Sequence, residues 1–230
     1  MNDDAEERAK RAVGRLAVER FARENALIGL GTGSTAYYAI ERAGELVAGG
    51  MALRAIGTSV ETERLCREFG VPLARFGTEP IDVAIDGADE VAPDWSLIKG
   101  GGGALFREKA IALAAGTFVV IVTARKLVPM LGAFPLPVEV VPFSVPFVAR
   151  EIESLGAAVT VRERAHAPYV TDNGNTILDC RFGTIPHPAE LDTVLHGLHG
   201  VVATGIFVGL ASHVLVAEPD GTVAEFAHSA

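Results

Sequence analysis

Four short segments hold side chains from which chemistry could be built. In GLGTGSTA, residues 29–36, Gly31, Gly33 and Ala36 satisfy the pattern G-x-G-x-x-G/A, the spacing with which a strand-to-helix turn brings backbone amides against a pyrophosphate. A dinucleotide site also needs an acid at the end of the second strand to hold the ribose hydroxyls. Here that strand ends Ile56, Gly57, Thr58, Ser59, with no carboxylate. What remains is a simple phosphate cradle, in which the hydroxyls of Thr32, Ser34 and Thr35 stand beside the amides of a helix N-terminus. The competing reading is a tight turn with an N-cap.

The segment IDVAIDGADE, residues 81–90, runs an apolar strand into Asp86, Gly87, Ala88, Asp89 and Glu90. Acids at the carboxyl end of a parallel strand stand where such sheets hold their ligands, although Asp and Gly also make ordinary polar turns. In IKGGGGALFREK, residues 98–109, the four glycines Gly100 to Gly103 let backbone amides approach a ligand, at an entropic cost on folding. Lys99 precedes them and Glu108 falls in the first turns of the next helix, so both can face the space above Asp86 if the loop folds back. The glycines predict a mobile, solvent-accessible setting for Lys99, with no apolar wall. Taken alone, Arg107, Glu108 and Lys109 would read as a solvated helix face. In TARK, residues 123–126, Lys126 follows a strand and could meet a phosphate as a point charge, or simply lie on the surface.

Other residue types offer less. His196 and His199 share a helix face without a third ligand, and His187 sits between two prolines. Cys66 and Cys180 lack metal spacing and read as free thiols in a reducing compartment. The chain carries 20 Lys plus Arg against 29 Asp plus Glu, a net charge of −9, with no basic cluster, so non-specific nucleic-acid binding is disfavoured. The acidic N-terminus, MNDDAEERAK, does not resemble a secretory signal.

These segments need elements to hold them. With 230 residues, one large α/β domain or two unequal ones are expected. Apolar residues at three and four residue steps predict a helix over about 4–23. Strand, glycine loop and helix then follow in ALIGL, GTGST and residues 36–48, the last closed by Gly49 and Gly50. The pattern repeats with strands at 53–56 and 81–85, helices at 60–69 and 104–115, and the apolar run TFVVIV at 117–122. Alternation of this kind indicates a mostly parallel sheet covered on both sides. After Lys126 the segment PMLGAFPLPVEVVPFSVPF carries five prolines. Beyond it come a helix at 148–155, strands at 157–162 and 176–180 around the turn TDNGN, and a helix opened by Pro188. Residues 200–217 lack Asp, Glu, Lys and Arg, but Gly205, Gly209, Ser212 and His213 interrupt them, predicting two buried strands and a connection rather than a membrane span. The expected fold class is α/β, a parallel-sheet domain (1–127 and 205–230) with an inserted smaller α+β domain (128–204).

In this order, GLGTGSTA, DVAIDGADE, LIKGGGGALFREK, FPLPVEVVPF, TDNGNTILD and GVVATGIF resemble the type A ribose-5-phosphate isomerases over nearly the whole chain. The resemblance implies a Rossmann-like parallel-sheet domain with a ferredoxin-like inserted unit, no metal and no cofactor, and interconversion of ribose 5-phosphate and ribulose 5-phosphate in the pentose phosphate pathway. It implies substrate contacts from Thr32, Gly33, Ser34 and Thr35, from Asp86, Gly87, Ala88 and Asp89, and from Lys99, Gly100, Gly101 and Gly102. Glu108 would be the base and Lys126 a further ligand, with Lys10 another phosphate contact. Phe106 stands where a small polar residue is common in the family, and TARK replaces a serine-lysine pair.

The chemistry suits these residue types. One carboxylate, Glu108, can move a proton between neighbouring carbons; Lys99 and glycine-loop amides can stabilise the enediolate. Asp86 would open the sugar ring, Asp89 orient hydroxyls, and Ser34, Thr35 and Lys126 anchor the phosphate. The expected protein is a cytoplasmic homodimer or homotetramer acting on a small phosphosugar, without nucleic acid or membrane. A phosphosugar sensor would need an output module absent from the chain, and a nicotinamide oxidoreductase would need the missing acid.

Overall fold

The structure, a computed structural model, describes residues 2–227. The chain divides into two compact units, one of Met1–Ala88, Arg107–Lys126 and Leu210–Ala230, the other of Asp89–Phe106 and Leu127–Gly209. The second unit therefore takes in residues 89–106, 127 and 205–209 beyond its expected 128–204. Ile98 and Ile206 belong to its hydrophobic core, and burial against a shared core, rather than chain order, decides where a residue belongs.

The first unit is a doubly wound sheet. Its strands β1 (Ala26–Leu30), β2 (Leu53–Gly57), β3 (Ile81–Asp86), β6 (Ala115–Thr123) and β14 (His213–Ala217) pair in parallel in the order β2, β1, β3, β6, β14, and β15 (Val223–Ala227) adds an antiparallel edge. All five residues of β1 are buried, as an apolar run covered on both faces requires. The helices are α1 (Asn2–Phe21), α2 (Ala36–Ala48), α3 (Val60–Glu68) and α4 (Leu105–Ala114), the last beginning in the second unit and continuing into the first. Counting along the chain, the parallel strand order is 2-1-3-4-5, and the order reverses between β1 and β3, where open sheets of this kind leave a crevice at their carboxyl ends. Leu30 stands beside Ile85, so the next residues, Gly31 just past the end of β1 and Asp86 at the end of β3, stand side by side at the carboxyl edge of the sheet.

In the second unit, β7 (Leu136–Val140), α5 (Val145–Ser154), β8 (Ala158–Val161), β11 (Thr176–Arg181), α6 (Pro188–His196) and β12 (Val201–Thr204) follow one another along the chain. The four strands form an antiparallel sheet in the order β12, β7, β11, β8, the split β-α-β-β-α-β arrangement of ferredoxin-like folds. A short ribbon, β4 (Glu90–Val91), β5 (Leu97–Ile98) and β13 (Ile206–Phe207), and the two-residue pair β9 (Glu163–Arg164) and β10 (Ala167–Pro168), complete it. Strand β7 lies within the proline-rich segment and is central despite Pro137, which cannot donate to the ladder. Its alternation explains the placement: Leu136, Val138 and Val140 enter the core with Val148, Ile152 and Leu195. On the opposite face lies a small cluster of Leu105, Ile177 and Ala203. The run 200–217 holds three strands in three different sheets, not the expected two, because Gly205 breaks β12 from β13 and the 208–212 segment precedes β14.

Candidate active site

At the β1/β3 crevice of the first unit, Asp86 is buried and its Oδ1 accepts hydrogen bonds from the amides of Gly87 (2.7 Å) and Thr32 (3.2 Å). Only glycine fits at position 31, where a Cβ would come within 1.9 Å of that same oxygen. Beyond it, Gly33 (φ 112°) and Ser34 are exposed, and Thr35 precedes α2 without capping it through its side chain. The helical ladder begins with the Tyr37 amide on the Gly33 carbonyl, so the amides before it lie outside the ladder at the positive end of α2, a ready anion site. The tight-turn reading with a hydroxyl cap is not what forms.

Thr32 is engaged differently from the expected cradle. Its hydroxyl sits 2.8 Å from those of Thr58 and Ser59 and 3.0 Å from that of Thr62, and Thr62 Oγ1 also donates to the Gly31 carbonyl. Ser59 caps α3 by accepting from the Thr62 amide. The end of β2, where a dinucleotide fold would put its acid, is thus filled by hydroxyls that fix the loop from below. Ser34 and Thr35 remain the hydroxyls open to a ligand.

Glu108 lies in the first turn of α4 and is 4% exposed, so it is not part of a solvated face. The helix dipole favours a negative charge there. Lys126 ends a 3-10 turn, Ala124–Lys126, directly after β6 and is half-buried. Lys10 on α1 stands 3.6 Å from Glu7, which also accepts from the Tyr38 hydroxyl of α2.

In the second unit the structure corrects the setting of Lys99. It is 2% exposed, and its ammonium stands 5.5 Å from the centre of the Phe207 ring. An apolar wall is present because the Lys99 amide pairs with the Gly205 carbonyl at 2.9 Å, which draws β13 alongside. A Cβ on Gly205 would lie 2.3 Å from the Lys99 carbonyl, so this approach too requires glycine. Asp89 and Gly101 are brought together: the Gly101 amide donates to Asp89 Oδ2 at 2.7 Å. Gly100 and Gly103 have φ of 97° and 87° and are tied by an amide-carbonyl bond of 2.9 Å, while Gly101 and Gly102 are exposed at the tip. Glu90, the remaining acid of DGADE, is buried and accepts from the amides of Gly132 and Phe134, a structural role.

Residues not singled out in the sequence also support this loop. Arg162 donates to the carbonyls of Gly100 and Gly101 and is itself held by Asp179. Buried Glu139 accepts from Thr171, Asn173 and Asn175, which fixes the TDNGN turn. A lone arginine in VRERA carries no spacing signal; TDNGN was legible only as a turn.

The sequence profile of the family "Ribose 5-phosphate isomerase A (phosphoriboisomerase A)" matches residues 54–221. Ribose-5-phosphate isomerase A 1 of Oceanobacillus iheyensis is 46% identical over 217 residues, covering 94% of this chain and 96% of the relative. The Methanothermobacter thermautotrophicus ribose-5-phosphate isomerase A is 45% identical over 198 residues, 85% of this chain and 88% of its own. Among solved structures, the Plasmodium falciparum ribose 5-phosphate isomerase superposes with a TM-score of 0.94 at 34% identity, over 97% of this chain and 100% of that one. A D-ribose-5-phosphate isomerase in complex with phospho-erythronic acid gives 0.91 at 37% identity, over 96% and 98%. With that agreement along nearly its whole length, and with the glycine loops and buried acids in place, the chain belongs to the ribose 5-phosphate isomerase A family.

Proposed function

We propose that the chain interconverts D-ribose 5-phosphate and D-ribulose 5-phosphate through an enediolate, a step of the pentose phosphate pathway. The observation that carries this is membership of the family over nearly the full length. The phospho-erythronic acid bound by the related isomerase supports it, since the planar carboxylate of a phosphorylated sugar acid resembles a planar enediolate. Buried Glu108 is assigned as the base that takes the proton from C2 of the open-chain aldose and returns it to C1. The Lys99 ammonium and glycine-loop amides balance the charge on the enediolate oxygen. Asp86 opens the sugar ring and Asp89 orients hydroxyls. The phosphate is assigned to the α2 N-terminus with Gly33, Ser34 and Thr35, and to Lys126. Gly87, Ala88, Gly100 and Gly102 contribute backbone, while Thr32 acts through its amide and its buried hydroxyl network. Lys10 is the weaker phosphate candidate, because Glu7 already competes for its charge.

The reading extends to a cytoplasmic homodimer or homotetramer. Two free buried cysteines suit a reducing compartment. Phe143, 94% exposed, with Val141 and Phe147 beside it, supplies apolar surface suited to a second copy. No helix among the described residues is long and apolar enough to cross a membrane.

The test is ketose formation from ribose 5-phosphate without added cofactor, in the wild type and in Glu108→Gln. The amide cannot accept the proton, so turnover should fall by roughly 10²–10⁴-fold with the fold intact. Near-normal turnover by that variant would remove Glu108 from the mechanism, and an inactive wild type would overturn the reaction itself.

A further inference from the structure

We infer that Arg162, oriented by Asp179, is a positioning residue that sets the direction of the glycine-loop amides beside Lys99; this rests on the isomerase reading above. The pair is built by sheet geometry. Asp179 of β11 stands opposite Thr160 of β8, so Arg162, two residues on, is its diagonal neighbour on the same face. The Arg162 amide continues the ladder by donating to the Ile177 carbonyl at 2.8 Å. Nε and Nη2 grip the two Asp179 oxygens in a fork. That leaves Nη1 aimed at the loop, 2.8 Å from the Gly100 carbonyl and 3.2 Å from that of Gly101. The Arg162 side chain is only 13% exposed, so little water competes for these contacts.

The consequence follows from peptide planarity. In a trans peptide the carbonyl and the following N–H point in opposite directions. With the Gly100 carbonyl turned to Arg162, the Gly101 N–H points away from it, and there it meets Asp89 Oδ2 at 2.7 Å. With the Gly101 carbonyl also turned to Arg162, the Gly102 N–H is directed away from the guanidinium as well. No side chain on the loop can enforce this, because residues 100–103 are all glycine and each could flip its peptide at small cost. The Gly103 amide holds the Gly100 carbonyl from within the loop at 2.9 Å, while the Gly101 carbonyl is met from outside it. Arg162 supplies the outside restraint with a charge-assisted donor, and Tyr169 adds a weaker contact from its hydroxyl to the Gly102 carbonyl at 3.5 Å. A lysine could not replace the guanidinium, since a point charge cannot hold a fork on Asp179 and two carbonyls at once.

Steady-state kinetics of Arg162→Met, Arg162→Lys and Asp179→Asn, with Arg150→Met as a control for an exposed guanidinium in the same unit, test this. If Arg162 orients donors to the enediolate, Arg162→Met lowers kcat by roughly 10²-fold while KM stays within about threefold. The deuterium isotope effect with C2-labelled ribose 5-phosphate rises, because proton removal becomes more rate-limiting. Arg162→Lys behaves like Arg162→Met, and in a further variant, Arg162→Ala, which leaves room for it, added guanidinium ion restores part of the rate. A merely structural arginine would lower the thermal midpoint without moving the isotope effect. Should Arg162→Met fail to fold, Asp179→Asn decides, with an expected loss of about tenfold in kcat. Unchanged kcat and isotope effect in the folded variants, with an active wild type, would overturn this role alone; an inactive wild type would instead sink the isomerase reading.

Discussion

Replacing Gly31 by alanine adds one methyl group at the point where β1 and β3 leave the sheet. An ideal Cβ there lies 1.9 Å from Asp86 Oδ1, 2.2 Å from its Cγ and 2.7 Å from its Cα. The carboxylate could swing aside, but the Cα cannot, because the Gly31 amide is tied to the Ile85 carbonyl at 2.9 Å. The two strand ends must part by the better part of an ångström. Overpacking of this kind costs about 1–3 kcal/mol, and for a chain of this size each kcal/mol lowers the thermal midpoint by about 2–4 °C. The same displacement moves Asp86 and breaks its bond from the Thr32 amide, and a misplacement of about 1 Å costs on the order of 10² in rate. Gly87→Ala is the matched comparison, since its Cβ would meet only the Ile121 carbonyl oxygen at 3.7 Å, an ordinary contact. Its stability should stay within about 0.5 kcal/mol of the wild type. Urea denaturation and the initial rate of ketose formation provide the two readouts. A Gly31→Ala protein with wild-type midpoint and rate would refute the steric argument, as would equal stability losses at both glycines.

Two further outcomes are expected. Isomerisation breaks no carbon-carbon bond and needs no covalent electron sink, so borohydride added during turnover should leave no reduced sugar on Lys99, whose side chain stands over the Phe207 ring. Mass spectrometry showing such an adduct on the Lys99 peptide would establish a covalent route instead, and Lys99→Met should lower the rate in either case. Burial pushes the thiols of Cys66 and Cys180 from 9.0 up to about 12, so both should resist a thiol reagent at pH 8 until the chain is unfolded. Because these folded-state values are raised, the unfolded chain loses its protons first. Their contribution to stability is complete below pH 9 and is lost as pH rises towards 12, which alkaline denaturation of the Cys66→Ala, Cys180→Ala double variant against the wild type would check.

Much of the fold could be read from the chain because its signals are local. The strand at residues 26–30 and the helix at residues 36–48 form with the expected limits, since a run of apolar residues and a pair of closing glycines act within a few positions. Strand β7 was not legible, because Pro137 argues against a central strand and only burial of Leu136, Val138 and Val140 in the core outweighs it. The glycine loop was visible as a loop, but the burial of Lys99 was not. It depends on Gly205 and Phe207, more than a hundred residues away in sequence.

By itself the sequence determined which groups are available and in what order. It supplied acids at the end of a parallel strand, a hydroxyl-rich turn before a helix, and four glycines between a lysine and a glutamate. Those are properties of composition and short spacing, and they sufficed for the family resemblance. Tertiary structure decided how the groups are used. Thr32 turns its hydroxyl into a buried network with Thr58, Ser59 and Thr62. Glu90 is spent on backbone amides, while Asp89 of the same turn meets the glycine loop. Arg162 reaches that loop across 62 positions of chain. Such contacts form when strands from distant parts of the chain pair in one register, and pairing register is set by core packing over whole sheets rather than by any residue's near neighbours.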